Sequence, residues 1–175
     1  MSLTNIQIYN ASTLTVTPNA GVYTIAATSA SAPYFWGVQS SAADFGITRA
    51  AQYEVSLSVY AGAAPPVGQT VDVYMGWGTA AAATFPGGLG TSPVSGYFTG
   101  YAVNSITNAT PQLEYIGSLY LAPILGAQYA NLGVITPKLE FGVVVVINNS
   151  GVTLGSTTNQ GAVVTFVPIV DEVGV

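Results

Sequence analysis

This chain of 175 residues carries two basic side chains, Arg49 and Lys138, against seven acidic ones, with no histidine and no cysteine. Charged residues make up 5% and hydrophobic ones 50%, whereas a soluble domain is typically about 25% charged. These counts exclude imidazole catalysis, imidazole metal ligation and disulfides, and they leave too few cations for a face that neutralises nucleic-acid phosphates.

The length fits a single domain over residues 1–175, large enough to bury a core without covalent or metal staples. Twenty glycines, ten prolines and many Thr, Val and Tyr suit an all-β chain with frequent turns. Its wealth of aliphatic and aromatic residues argues against disorder. The start, Met1-Ser2-Leu3-Thr4-Asn5, has no basic stretch followed by an apolar run, so no secretion signal is expected. The longest strongly apolar run, residues 141–147, is far below the roughly 20 residues of a membrane helix, and no membrane-spanning segment is expected.

Alternation with period 2 dominates the chain. In chain order, weaker strands are predicted at 3–9, 13–17, 22–27 and 34–39, with a turn at Asn19-Ala20-Gly21. The clearest strand is 53–59, with Tyr53, Val55, Leu57 and Val59 toward a core and Glu54, Ser56 and Ser58 outward. A stiff loop over 61–69, containing Pro65-Pro66, leads to a second alternating strand at 71–77. Residues 78–93 read as a loop, an alanine tract followed by Phe85-Pro86-Gly87-Gly88-Leu89-Gly90. Strands resume at 94–103 and 112–121, the latter with Leu113, Tyr115, Leu119 and Leu121 on one face. Residues 123–137 read as an apolar loop with one short helical turn at 126–132. The unbroken valine-rich run 141–147 predicts a strand covered on both faces. A turn at Asn148-Asn149-Ser150-Gly151 and a last strand at 162–170 follow, with Pro168 expected at an edge or near the strand end. The sum is about eight to ten strands, an all-β barrel or sandwich.

Chemistry is scarce. Gly87-Gly88-Leu89-Gly90 lacks the Lys-Ser/Thr and the strand–loop–helix setting of a P-loop and reads as a turn. The one catalytic scheme left open is a carboxylate pair, drawn from Glu54, Asp72, Glu114 and Glu140. Alternation puts the first three on the solvated side of their strands. No catalytic residue, cofactor site, metal site or small-molecule substrate is therefore expected. The glycosylation sequons at Asn10, Asn108 and Asn148 occur at about the chance frequency, and the acidic end, 171–175, reads as a solvated tail.

Loops usually face water and are polar; those at 78–93 and 123–137 are apolar. They either meet neighbouring subunits or fold back over the ends of their own barrel, and the sequence leaves both uses open. On the first, Phe85, Leu89, Tyr129 and Leu132 are the candidate interface residues, since buried interface centres are depleted in charge and rich in aromatics.

A single all-β domain with almost no charge, apolar loops and no catalytic groups resembles a viral coat protein. More narrowly, it is similar to the small major capsid protein of tailless icosahedral, internal-membrane phages of thermophilic bacteria. The resemblance spans the whole chain and rests on size, composition and strand rhythm. It implies a single upright jelly roll that self-associates as a homo-oligomer and co-assembles with a second capsid protein into an icosahedral shell. It further implies a membrane beneath that shell, no nucleic-acid contact, and a place in the virion after synthesis in the host cytoplasm. The alternative is a non-catalytic carbohydrate-binding or adhesive β-sandwich module, with Tyr60, Tyr74 and Tyr120 as a sugar-stacking platform.

Overall fold

The computed structural model of the chain describes residues 13–17, 25, 37–46, 49–98, 109–156 and 158–169. Its long strands form where alternation or valine density demanded them, except the one at Gly126–Ile135. These are β4 (Gln52–Ala61), β5 (Thr70–Gly78), β9 (Glu114–Tyr120), β10 (Gly126–Ile135), β11 (Phe141–Asn148) and β12 (Ala162–Ile169). The short ones are β1 (Leu14–Val16), β2 (Gly37–Gln39), β3 (Ala43–Asp44), β6 (Thr84–Phe85), β7 (Gly90–Thr91) and β8 (Gly96–Phe98). Helix among the described residues amounts to Ala109 and the 3-10 turn Thr110–Gln112 that follows it. The fold is an all-β sandwich.

The first sheet has the order β1-β12-β4-β10, and the second β8-β2-β11-β5-β9, with β3 also paired to β11. Every one of these pairings is antiparallel. The pairing is nested: β1 with β12, β2 with β11, β4 with β10, β5 with β9. The chain thus behaves as one long hairpin whose ribbon alternates between the two sheets.

Between the sheets lies the main core, including Tyr53, Val55, Leu57 and Val59 of β4, Val71, Val73 and Met75 of β5, and Val164 and Phe166 of β12. Both the 53–59 and 71–77 alternations are therefore as predicted. Phe45 closes one end, its ring centroid 5.3 Å from those of Tyr53, Trp77 and Phe166. Ile25, which bridges Leu154, packs at the other end with Leu154 and Ala61. The run Val143–Val146 is fully buried and covered on both faces. Val144 and Val146 enter the main core, and Val143 and Val145 enter a second core on the outer face. Pro168 lies one residue from the end of β12, where its missing N–H is tolerated.

Two expectations need correction. Residues 126–132 are not a helical turn and 123–137 is not mainly a loop: β10 pairs with β4 along its length. Gly126 and Gly133 hold φ of +116° and +108°, outside the helical region, and the cross-strand ladder overrides the weak local preference. Leu113 and Tyr115 do not share the inward face of Leu119 and Leu121; Leu113 packs in the outer core. The register with β5 skips Ile116 between Tyr115 and Gly117, and this bulge turns Tyr115 out to solvent. A second bulge skips Leu132 in β10. The two irregularities face each other where the sheets close, since a Cβ at Gly117 would lie 3.1 Å from that of Leu132.

The strand expected at 3–9, the turn at 19–21, most of the segment 22–27 and the acidic tail lie outside the described residues, as do Asn10 and Asn108. So do 34–36, 99–103 and 170 of the strands expected at 34–39, 94–103 and 162–170.

Candidate functional site

Charge is distributed unevenly along the sandwich. The register puts the loops 62–69, 121–125 and 149–161 at one end, because Thr70 faces Tyr120, Ala61 faces Gly126, and Asn148 faces Val71. None of the three loops contains an acid or a base; the charge nearest them is Asp72 of β5, whose carboxylate accepts from the Asn149 amide. Asp44, Arg49, Glu114, Lys138 and Glu140 gather at the opposite end, on β3, the start of β9 and the loops 45–51 and 136–140. There Glu114 accepts the Trp77 indole N–H at 2.5 Å and pairs with Lys138 at 3.3 Å. The charge-free end instead exposes Val67, Tyr120, Ile124 and Leu125, each more than half accessible.

Two side-chain amides help to order that end. The Gln128 side chain, rising from β10, accepts from the Ala122 N–H at 2.8 Å and donates to the Ala122 and Ile124 carbonyls at 3.1 and 3.2 Å. It fixes the loop that presents Ile124 and Leu125. Asn148 likewise donates to the Ile25 and Val152 carbonyls and accepts from the Ser150 N–H, holding the expected turn. Being fully buried, Asn148 is closed to glycosylation.

The outer face of the second sheet is covered over β5 and β11 by the chain itself. The 78–93 segment forms the β6–β7 hairpin and lies across β5 and β11. Phe85 and Leu89 are only 3% and 5% exposed, packed with Phe98, Leu113, Val143 and Val145. These two expected interface residues therefore belong to the chain's own outer core. The physical reason is visible on β5: Gly76 and Gly78, at alternating outward positions, leave the space that Leu89 and Phe85 fill.

The other two candidates diverge. Tyr129 is 72% exposed on the outer face of the first sheet, while Leu132 is half-buried against the main core. Tyr129 stands opposite Ser58, and Asn131 opposite Ser56, which faces Thr165 on its other side. Together these side chains line an open groove of about 270 Å³. The tyrosines expected to form one platform do not come together. Tyr60 lies on the first sheet, whereas Tyr74 and Tyr120 lie on the outer side of the second.

Asp72, also on that outer side, accepts from the Ser118 hydroxyl and, at 2.7 Å, from the Asn149 amide. Ser118 meets the Tyr115 hydroxyl at 2.6 Å, and the Tyr115 and Tyr74 rings lie 5.4 Å apart. Burial raises the Tyr74 phenol above its usual value, with smaller contributions from the Asp72 carboxylate and from Tyr115. A raised phenol favours folding while both states are neutral. That contribution is complete below about pH 10, the unfolded value, and is lost as pH rises through the folded one. Tyr74→Phe should consequently flatten part of the alkaline fall in melting temperature while leaving the curve between pH 5 and 8 unchanged. Parallel alkaline falls in wild type and variant would refute this. Among the described residues no cluster of three or more His, Cys, Asp or Glu side chains is placed to hold a metal, and no helix is long and apolar enough to cross a membrane.

No protein-family model matches the chain, and no curated protein matches its sequence.

Proposed function

We infer that the chain is a non-enzymatic structural subunit of an icosahedral viral capsid, a jelly roll that self-associates and co-assembles with a second capsid protein over an internal membrane. The observation that carries this reading is the end whose loops carry no charge, where Val67, Tyr120, Ile124 and Leu125 stand in solvent, the last two on a loop held by Gln128. Large exposed apolar groups beside uncharged loops are what a subunit buries against neighbours, and a fixed loop loses little entropy on docking.

The nested strand order supports the fold part of the reading. The eight nested strands, all four of the first sheet and four of the six in the second, follow the order a jelly roll would require, an architecture used by viral capsid and lectin domains. Fold alone does not assign function; the exposed end supplies the argument for assembly. The test is sedimentation velocity over a concentration series without sugar, followed by electron microscopy of the fastest species. Concentration-dependent oligomers with curved or closed forms are expected. A chain that stays monomeric at every concentration, alone and with lysate-purified virion proteins, would overturn the reading.

A further inference from the structure

We propose that the groove on the outer face of the first sheet binds a neutral saccharide, with Tyr129 as the stacking surface and Ser56, Ser58, Asn131 and Thr165 as hydroxyl partners. This site is separate from the charge-free end and does not depend on the shell reading.

The groove has three properties that select this ligand class. First, Tyr129 is the exposed large ring at its border, and an aromatic face suits the C–H face of a pyranose as it suits other apolar surfaces. Second, the polar groups around it are neutral and open. Among the described residues no hydrogen-bonding partner engages the hydroxyls of Ser56, Ser58 or Thr165. Asn131, by contrast, is held in place, donating to Glu54 and accepting from the Gly133 N–H at 2.8 Å. Each fixed amide atom keeps one further bonding position. Third, the size fits. From Asn131 across Ser56 to Thr165 spans two strand spacings, about 10 Å, and about 270 Å³ lies just below the ~300–1,000 Å³ range of drug-sized sites. One sugar ring fills such a space.

Charge excludes the other ligand classes. The nearest ionised group is Glu54, and no cation lines the groove, so phosphates and acidic sugars are repelled. A peptide strand would seek a sheet edge, where backbone groups are open, and the groove lies across three paired strands.

Saturation-transfer difference NMR reads a bound sugar whether the chain is monomeric or assembled. The probes are neutral hexasaccharides of glucose in α and β linkage, galactose, mannose and N-acetylglucosamine, with a uronic-acid hexamer as the charged control. At least one neutral probe should bind, with its ring C–H protons saturated most strongly, and the uronic-acid hexamer should not. Tyr129→Ala should weaken binding about fivefold or more, the loss of one stacking contact. Tyr129→Trp should restore it, and Thr165→Val, which removes only the hydroxyl, should weaken it by a smaller factor. Tyr97→Ala, on β8 of the second sheet, should leave it unchanged. Absence of binding to every neutral probe, or binding indifferent to Tyr129→Ala, overturns the proposal. So does a Tyr129→Ala chain that loses self-association in sedimentation while sugar has no effect, since a second copy would then occupy the groove.

Discussion

Replacing Phe85 by alanine should destabilise the fold by about 3–5 kcal/mol, the usual range for emptying a buried phenylalanine site. At roughly 2–4 °C per kcal/mol for a chain of this size, the melting temperature should fall by about 10 °C. The ring seals the outer core over Val143 and Val145, and it rests where β5 offers Gly78 instead of a side chain. A Cβ built on Gly78 would come within 2.5 Å of the ring, so Gly78→Ala alone should also destabilise, by about 1–3 kcal/mol of overpacking. Combined, the two substitutions should cost less than their sum, because the added methyl enters the space the ring vacates. Thermal melts followed by circular dichroism would measure all three. If Phe85→Ala melted like the wild type and failed only in association, Phe85 would belong to a partner surface after all.

The position of Phe85 marks the limit of sequence reading here. An apolar loop looks the same whether it faces a neighbour or its own sheet. Yet the signal that decides was present in two other segments. A valine run covered on both faces requires a cover on the outside, and the alternating outward Gly76 and Gly78 of β5 provide the space for one. The strands β4, β5 and β11 were legible because one face, or both, is buried along their whole length. β10 was not, for physical reasons. It is an edge strand with four Gly or Ala among its ten residues, both of its glycines have positive φ, and the bulge at Leu132 breaks its period. The bulge at Ile116 hid the true face of Tyr115 in the same way.

Missing β10 also hid the groove. Ser56 and Ser58 were readable as outward, and Tyr129 as an exposed anchor, but only the β4–β10 register places Tyr129 opposite Ser58. The charge-free end is likewise a product of topology. Its loops are far apart in sequence and adjacent only because the ribbon is nested. The low charge of the whole chain was evident from composition, whereas its concentration at one end was not.

Exchanging Val67 and Leu125 together for serine should weaken self-association by at least tenfold while leaving the melting temperature nearly unchanged. Both side chains are exposed, and surface changes away from packed features usually shift stability by less than about 0.5 kcal/mol. In an assembled state each would be removed from water, a gain of about 1.5–3 kcal/mol for a fully buried aliphatic side chain. A tenfold change corresponds to about 1.4 kcal/mol, so the loss of two such contacts exceeds it comfortably. Because the three loops at this end carry no charge, association should persist from low to high salt, unlike a contact steered by ion pairs. Gln128→Ala should weaken it as well while keeping every apolar group, since the 121–125 loop then loses its three side-chain bonds and must be ordered on docking. Lys138→Ala, at the charged end, should have no effect on association. Sedimentation velocity of the four chains separates these outcomes. Unchanged association in the Val67/Leu125 variant, or association abolished by salt, would place the contact elsewhere on the molecule and remove the main support for a shell subunit.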